Sequence, residues 1–88
     1  MEVVWDPNKA RINHQKHGVL FSGAEIVFYD PNALTREDIK AEGEQRFVTL
    51  GSDAIGRILV VVYAYRGENI RLISARTAKK KERRNYEE

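Results

Sequence analysis

The chain changes rhythm near Asp30. Before it, apolar residues are sparse or spaced for helices; after Gln45 they come in runs bounded by glycine. Val3-Val4-Trp5 predicts a short opening strand. Asp6-Pro7 predicts a helix start. The Asp6 carboxylate can accept from free backbone N–H groups, and Pro7 suits the first helical position, where a missing N–H costs nothing. Trp5 and Ala10 have hydrophobic-staple spacing. Gly18 predicts the stop, as a left-handed residue just past His17. A second helix of two turns is predicted from Ser22. Ser22 has capping-box spacing to Glu25, and Phe21 has staple spacing to Ile26. This helix ends by Tyr29-Asp30-Pro31 and offers Ala24, Val27 and Phe28 as its apolar face.

Asn32 to Thr35 predicts an edge strand, and Arg36 to Gly43, polar and without clear alternation, a loop. Three stronger strands follow at Gln45–Gly51, Arg57–Tyr65 and Asn69–Arg76. The middle one is apolar on both faces, which predicts a central strand covered on both sides. The connections are short and carry glycine, favouring antiparallel hairpins. Thr77 is placed to cap a last helix from Ala78 to about Tyr86. The order β-α-α-β-β-β-β-α gives an α+β class: an antiparallel meander, two N-terminal helices on one face and a C-terminal helix. At 88 residues this is a single domain, 1–88, with no repeats or linkers and no room for a separate cofactor-binding unit.

The first helix is unusually polar. Between Asn8 and Lys16 only Ala10 and Ile12 are apolar, whereas a short helix is normally held by an apolar stripe. Lys9, Asn13, Lys16 and His17 share one side at helical spacing. That side can read phosphates or can simply be a solvated face.

Composition sharpens the picture. The chain has no cysteine, which excludes disulfides and thiolate metal sites. The acidic start does not read as a signal peptide, and the apolar run Ile58–Tyr65 is far below the ~20 residues of a membrane helix. A soluble cytoplasmic protein with no membrane partner is expected. Net charge is +2, unevenly spread: residues 1–44 carry −3 and residues 45–88 carry +5. Such asymmetry points to a polyanion or an acidic partner for the C-terminal half.

Several segments together resemble one family. They are Val4-Trp5-Asp6-Pro7-Asn8-Lys9, Asn13, Lys16-His17-Gly18-Val19, Phe21, Ala24 and Val27-Phe28. After these come Glu42-Gly43-Glu44-Gln45-Arg46, Gly51, Val60-Val61-Val62, Ile70-Arg71-Leu72-Ile73-Ser74-Ala75-Arg76 and Glu82-Arg83-Arg84-Asn85-Tyr86. In this order and spacing, over nearly the whole chain, they resemble the BrnT toxins. The resemblance implies a small RelE-like domain and a ribonuclease toxin of a type II toxin–antitoxin system that arrests translation and growth. It also implies a BrnA-like antitoxin, with a ribbon-helix-helix DNA-binding part, through which alone operator DNA is contacted.

Metal-free RNA cleavage needs a base for the ribose 2′-OH, an acid for the departing 5′-oxygen, and cations for the extra phosphate charge. No cofactor or metal is expected: the chain lacks glycine-rich phosphate loops and ligand clusters. His17, at a helix C-terminus that favours its protonated form, is a candidate catalytic acid or a plain helix-end residue; His14 reads as surface. Glu44 and Arg46, two apart, point the same way on a strand. They form either a carboxylate base beside an arginine or a surface ion pair. Arg71 and Arg76 fall on opposite faces by parity. Arg76 is the candidate catalytic phosphate clamp, or the partner of Glu82. Lys79-Lys80-Lys81 would sit at the positive end of a helix dipole, so phosphate contact or an acidic antitoxin segment are candidate reasons for them. Lys9, Lys16, Arg71, Lys79, Lys80, Arg83 and Tyr86 are the candidate RNA-binding residues, with Tyr86 stacking on a base or packing on the sheet. The other readings are a non-enzymatic nucleic-acid-binding regulator and an interaction subunit that only docks a partner.

Overall fold

The computed structural model describes residues 2–88; Met1 lies outside the described residues. The elements run β1 (Val3–Val4), α1 (Pro7–His17), α2 (Phe21–Ala24), a 3₁₀ turn (Glu25–Tyr29), β2 (Leu34–Glu37), β3 (Phe47–Ser52), β4 (Ile58–Arg66), β5 (Asn69–Thr77) and α3 (Lys80–Glu87). The five strands form one sheet in the order β1-β5-β4-β3-β2. β2 to β5 are an antiparallel meander, and β1 adds to β5 in parallel. The α+β class and the three strong strands stand as read from the sequence.

The first face of the sheet carries the core. Val19, Phe21, Ala24 and Val27 pack on Leu59, Val61, Tyr63, Ile70, Leu72 and Ala75, with Trp5, Ala10, Phe28 and Phe47 at the margin. Gly51 is part of this packing. A Cβ there would come within 2.7 Å of the Val27 side chain, so the 3₁₀ turn closes on β3 only over a glycine. A chain of hydroxyls, Thr35–Thr49–Tyr63, crosses three strands with both contacts at 2.8 Å and runs from the exposed β2 into the core.

α1 keeps its predicted ends. Asp6 accepts from the Asn8 N–H at 2.9 Å, and Gly18 closes the helix at φ 69°. What docks it is a polar residue. Asn13 is the only buried residue of α1. Its amide donates to the carbonyls of Val19 (3.1 Å) and Ala75 (2.9 Å), and its oxygen accepts from the Ala75 N–H (3.1 Å). β1 pairs β5 only at Ile70 and Arg71, and Asn13 satisfies the backbone further along that edge. It is therefore spent on the fold and not available to phosphates.

Other boundaries moved. Ser22 does not cap the second helix: the N-cap position is Leu20, without a side-chain hydrogen bond, and the α segment tightens to 3₁₀ after one turn. The polar stretch after Thr35 is partly strand, because Arg36 and Glu37 pair with Val48 and Phe47. Thr77 ends β5 and does not cap α3. The free N–H of Lys79 is bonded instead by the Glu82 carboxylate at 2.8 Å, an acidic group well placed against the helix dipole.

Candidate functional site: an arginine-ringed sheet face

The second face of the sheet can be read row by row from the strand register. One row is Arg36, Val48, Val62 and Ser74; the next is Leu34, Leu50, Val60 and Arg76. Beyond them Ala64 pairs with Arg71, and Arg46 enters from the segment before β3, hydrogen-bonded through its carbonyl to the Asp38 N–H. Arg71 and Arg76 therefore share this face, and the parity expectation fails. The reason is a bulge in β5. Val62 pairs with Ser74 but Tyr63 pairs with Leu72, so Ile73 is an extra residue that reverses the alternation.

Four arginines thus ring an apolar floor of Val48, Leu50, Val60 and Val62. α3 crosses part of this floor and leaves a groove of about 350 Å³ lined by those four residues with Arg36, Asp38, Arg76, Glu82 and Asn85. Carboxylates hold three of the cations. Glu44 takes one Arg71 nitrogen on both oxygens at 2.6 Å and lies 3.6 Å from Arg46. The hydrogen bond from Arg71, aided by the Arg46 charge, keeps the Glu44 carboxyl below its ordinary range, so it is ionised near neutrality. Arg46 retains a buried Nε–H without a partner. Arg76 donates to both Glu82 oxygens at 2.9 and 2.8 Å. That fork holds Glu82 down to about 2 and raises Arg76 further. Arg36 has no ion pair among the described residues.

A second tie fixes α3. The Tyr86 hydroxyl donates to Asp30 at 2.5 Å, and Asp30 also accepts from the N–H groups of Ser52 (2.8 Å) and Asn32 (2.9 Å). These bonds, Tyr86 first, lower the Asp30 carboxyl, and the same contact raises the Tyr86 hydroxyl. Tyr86 is thus a latch, half-buried rather than presented as a stacking platform.

The face gathers guanidinium groups around an apolar floor, on a fold that two comparisons with known proteins identify. The family model described as the ribonuclease toxin BrnT of type II toxin–antitoxin systems matches residues 5–82. The chain belongs to the BrnT family. It is also similar to the crystal structure of the Brucella abortus ribonuclease toxin BrnT. The two are 28% identical, with a TM-score of 0.72, over 91% of this chain and 99% of that one. No curated protein matches the chain.

In this BrnT fold the sequence-predicted residues do not all converge. Glu44, Arg46 and Arg71 cluster on the second face, and Arg76, paired with Glu82, lies on the same face at the groove under α3. His17 does not join them: it is half-buried at the end of α1, in a shallow hollow with Lys9, Ile12, Asn13, Lys16, Ile73 and Ser74. Lys79, Lys80 and Arg83 are exposed on or beside α3. The sequence reading missed Arg36, Asp38 and Asn85. The polar stretch from Arg36 reads as a loop, whereas Arg36 lies in β2 and Asp38 just past its end, where a two-residue spacing along extended chain puts both on one side. Among the described residues no group of three or more His, Asp or Glu is placed to hold a metal ion. No helix is long and apolar enough to cross a membrane.

Proposed function

We propose that this chain is a metal-independent endoribonuclease toxin that binds RNA across the arginine-ringed face. The observation that carries the reading is that face, where Arg46, Arg71 and Arg76 surround an apolar floor and an ionised carboxylate, Glu44, stands among them. Glu44 takes the proton of a ribose 2′-OH; the 2′-oxygen attacks the adjacent phosphorus, the P–O5′ bond breaks, and the departing 5′-oxygen takes a proton from water. The arginines hold the charge that builds on the phosphate, a role for which fixed bidentate donors suit them. Glu44 itself is a modest base, so charge stabilisation carries most of the rate. Lys79, Lys80 and Arg83, with Lys9, Lys16 and His17 on the other side of β5, follow the RNA backbone. His17 then serves as a phosphate contact rather than as the proton donor.

The same reading makes the chain a cytoplasmic inhibitor of translation and growth. A BrnA-like antitoxin neutralises it and alone carries operator DNA contacts. The test is cleavage of labelled RNA by purified protein in excess EDTA, beside Arg76→Ala. Wild-type cleavage should persist in chelator, and the variant should lose on the order of 10²-fold or more, the scale for one oxyanion-stabilising donor. Loss of wild-type cleavage in EDTA would point to a metal. Undiminished cleavage by Arg76→Ala would remove it from the site. A second reading, a non-enzymatic RNA-binding module, draws support from the carboxylates that already engage three of the arginines. It predicts RNA binding without cleavage and no growth arrest on overexpression.

A further inference from the structure

The geometry points to a guanine-specific base subsite in the groove beneath α3, read by Asp38 and Asn85 over the floor of Val48, Leu50, Val60 and Val62. The inference rests on RNA being the ligand of this face, as proposed above, and adds which base is recognised.

The argument starts from what the groove has left to give. Its volume, about 350 Å³, lies at the small end of the roughly 300–1,000 Å³ of small-molecule sites, so it suits one flat ring system and not a stretch of chain. The floor is four aliphatic side chains, a surface that covers a base face without reading it. Of the five polar residues in the lining, Arg76 and Glu82 are joined by a two-point fork, and the remaining Arg76 donors belong to the phosphate in the reading above. The readers are then Arg36, Asp38 and Asn85. Neither Arg36 nor Asn85 makes a side-chain hydrogen bond among the described residues. Asp38 uses one oxygen, Oδ1, to accept from the Lys40 N–H at 3.2 Å, and the other is unspent. Arg36 and Asp38 sit two apart beside one another, yet do not form an ion pair.

A carboxylate with free acceptor capacity beside amide and guanidinium donors has a definite complement. Guanine alone among the four bases presents two adjacent donors, N1–H and the 2-amino group, next to an acceptor, O6. Asp38 accepts the two donors, and Asn85 or Arg36 donates to O6. Adenine would turn the lone pair of N1 toward the carboxylate. Uracil and cytosine each offer only one donor site on that edge. Hypoxanthine is guanine without the 2-amino group and isolates that one contact.

The test is fluorescence anisotropy with uncleavable 2′-O-methyl oligouridines carrying one central guanine, hypoxanthine or adenine. Wild type should bind the guanine probe roughly ten- to a hundredfold more tightly than the other two, the span of a good bidentate base contact. In Asp38→Asn the ratio between guanine and hypoxanthine should fall to near one, because the amide offers a single acceptor oxygen. That variant keeps an oxygen for the Lys40 N–H, and a thermal melt checks that it folds. Equal, measurable binding of the three probes by wild type would overturn the subsite and leave RNA as the ligand. A guanine preference that persists in Asp38→Asn would overturn the assignment to Asp38. Binding of none of the probes would overturn the subsite and the RNA reading together.

Discussion

Asn13 shows how much one side chain can settle. By pattern it belongs to the polar side of a polar helix. In the fold it is the one buried residue of α1, and its amide makes three hydrogen bonds to backbone that no strand reaches. Asn13→Ala leaves those groups unpaired, which should cost about 1–3 kcal/mol. Asn13→Asp keeps the shape but aims a carboxylate at two carbonyls. It should cost at least about 3 kcal/mol, the scale of an uncompensated buried charge. Urea denaturation of the two variants checks the order; an aspartate variant as stable as wild type would mean the helix docks by other means. No sequence pattern reveals this role, because a polar residue buried for its hydrogen bonds looks like a polar residue in water.

Among the elements, α3 depends most visibly on charge. It has no buried residue of its own and is held over the sheet by Arg76–Glu82 and Tyr86–Asp30. Glu82 titrates near its ordinary 4.5 in the unfolded chain and at about 2 when paired. A depressed carboxylate stabilises the fold above the unfolded value, and that contribution disappears as pH falls from about 4.5 to about 2. The pair is about one-third exposed, so solvent screening reduces its worth to on the order of 1 kcal/mol. Glu82→Gln should therefore flatten the stability profile between pH 4.5 and 2 in chemical denaturation, while leaving the shape above pH 5 unchanged. An identical acid slope in both proteins would show that Glu82 is not the linked group. Where elements were legible, the reason is plain. Strands β3 to β5 carry apolar runs with glycine at their ends, and α1 carries its own start and stop. β2 was half hidden because its four residues are all exposed, so its alternation has no apolar signature. The start of α3 was misplaced because its free N–H is satisfied from inside the helix by Glu82, not by the threonine before it. The candidate site was legible as residue types but not as a surface, since a bulge in β5 decides which arginines meet.

At the scale of the whole molecule, the sheet divides labour between its faces. One face holds the core; the other gathers guanidinium groups under a basic helix. Residues 45–88 carry the +5 of the chain's charge asymmetry, and Lys79, Lys80 and Arg83 are exposed on or beside the helix that borders the groove. RNA binding there should weaken steeply with salt, with log K falling by about 0.7 per phosphate contact for each unit of log salt on a single strand. Lys80→Ala and Arg83→Ala should each reduce that slope by about 0.7, read by anisotropy titrations over a salt series. A salt-independent affinity would exclude phosphate contacts as the source of binding. The bulge at Ile73 has a further consequence, for how the chain reaches this state. With the alternation broken once, β4 and β5 fit together in one alignment only. A slip of β5 by one residue would swing its arginines in among Phe21, Leu59 and Val61, where an unpaired guanidinium is costly. The cations that equip the face thus also penalise misaligned pairings of the hairpin.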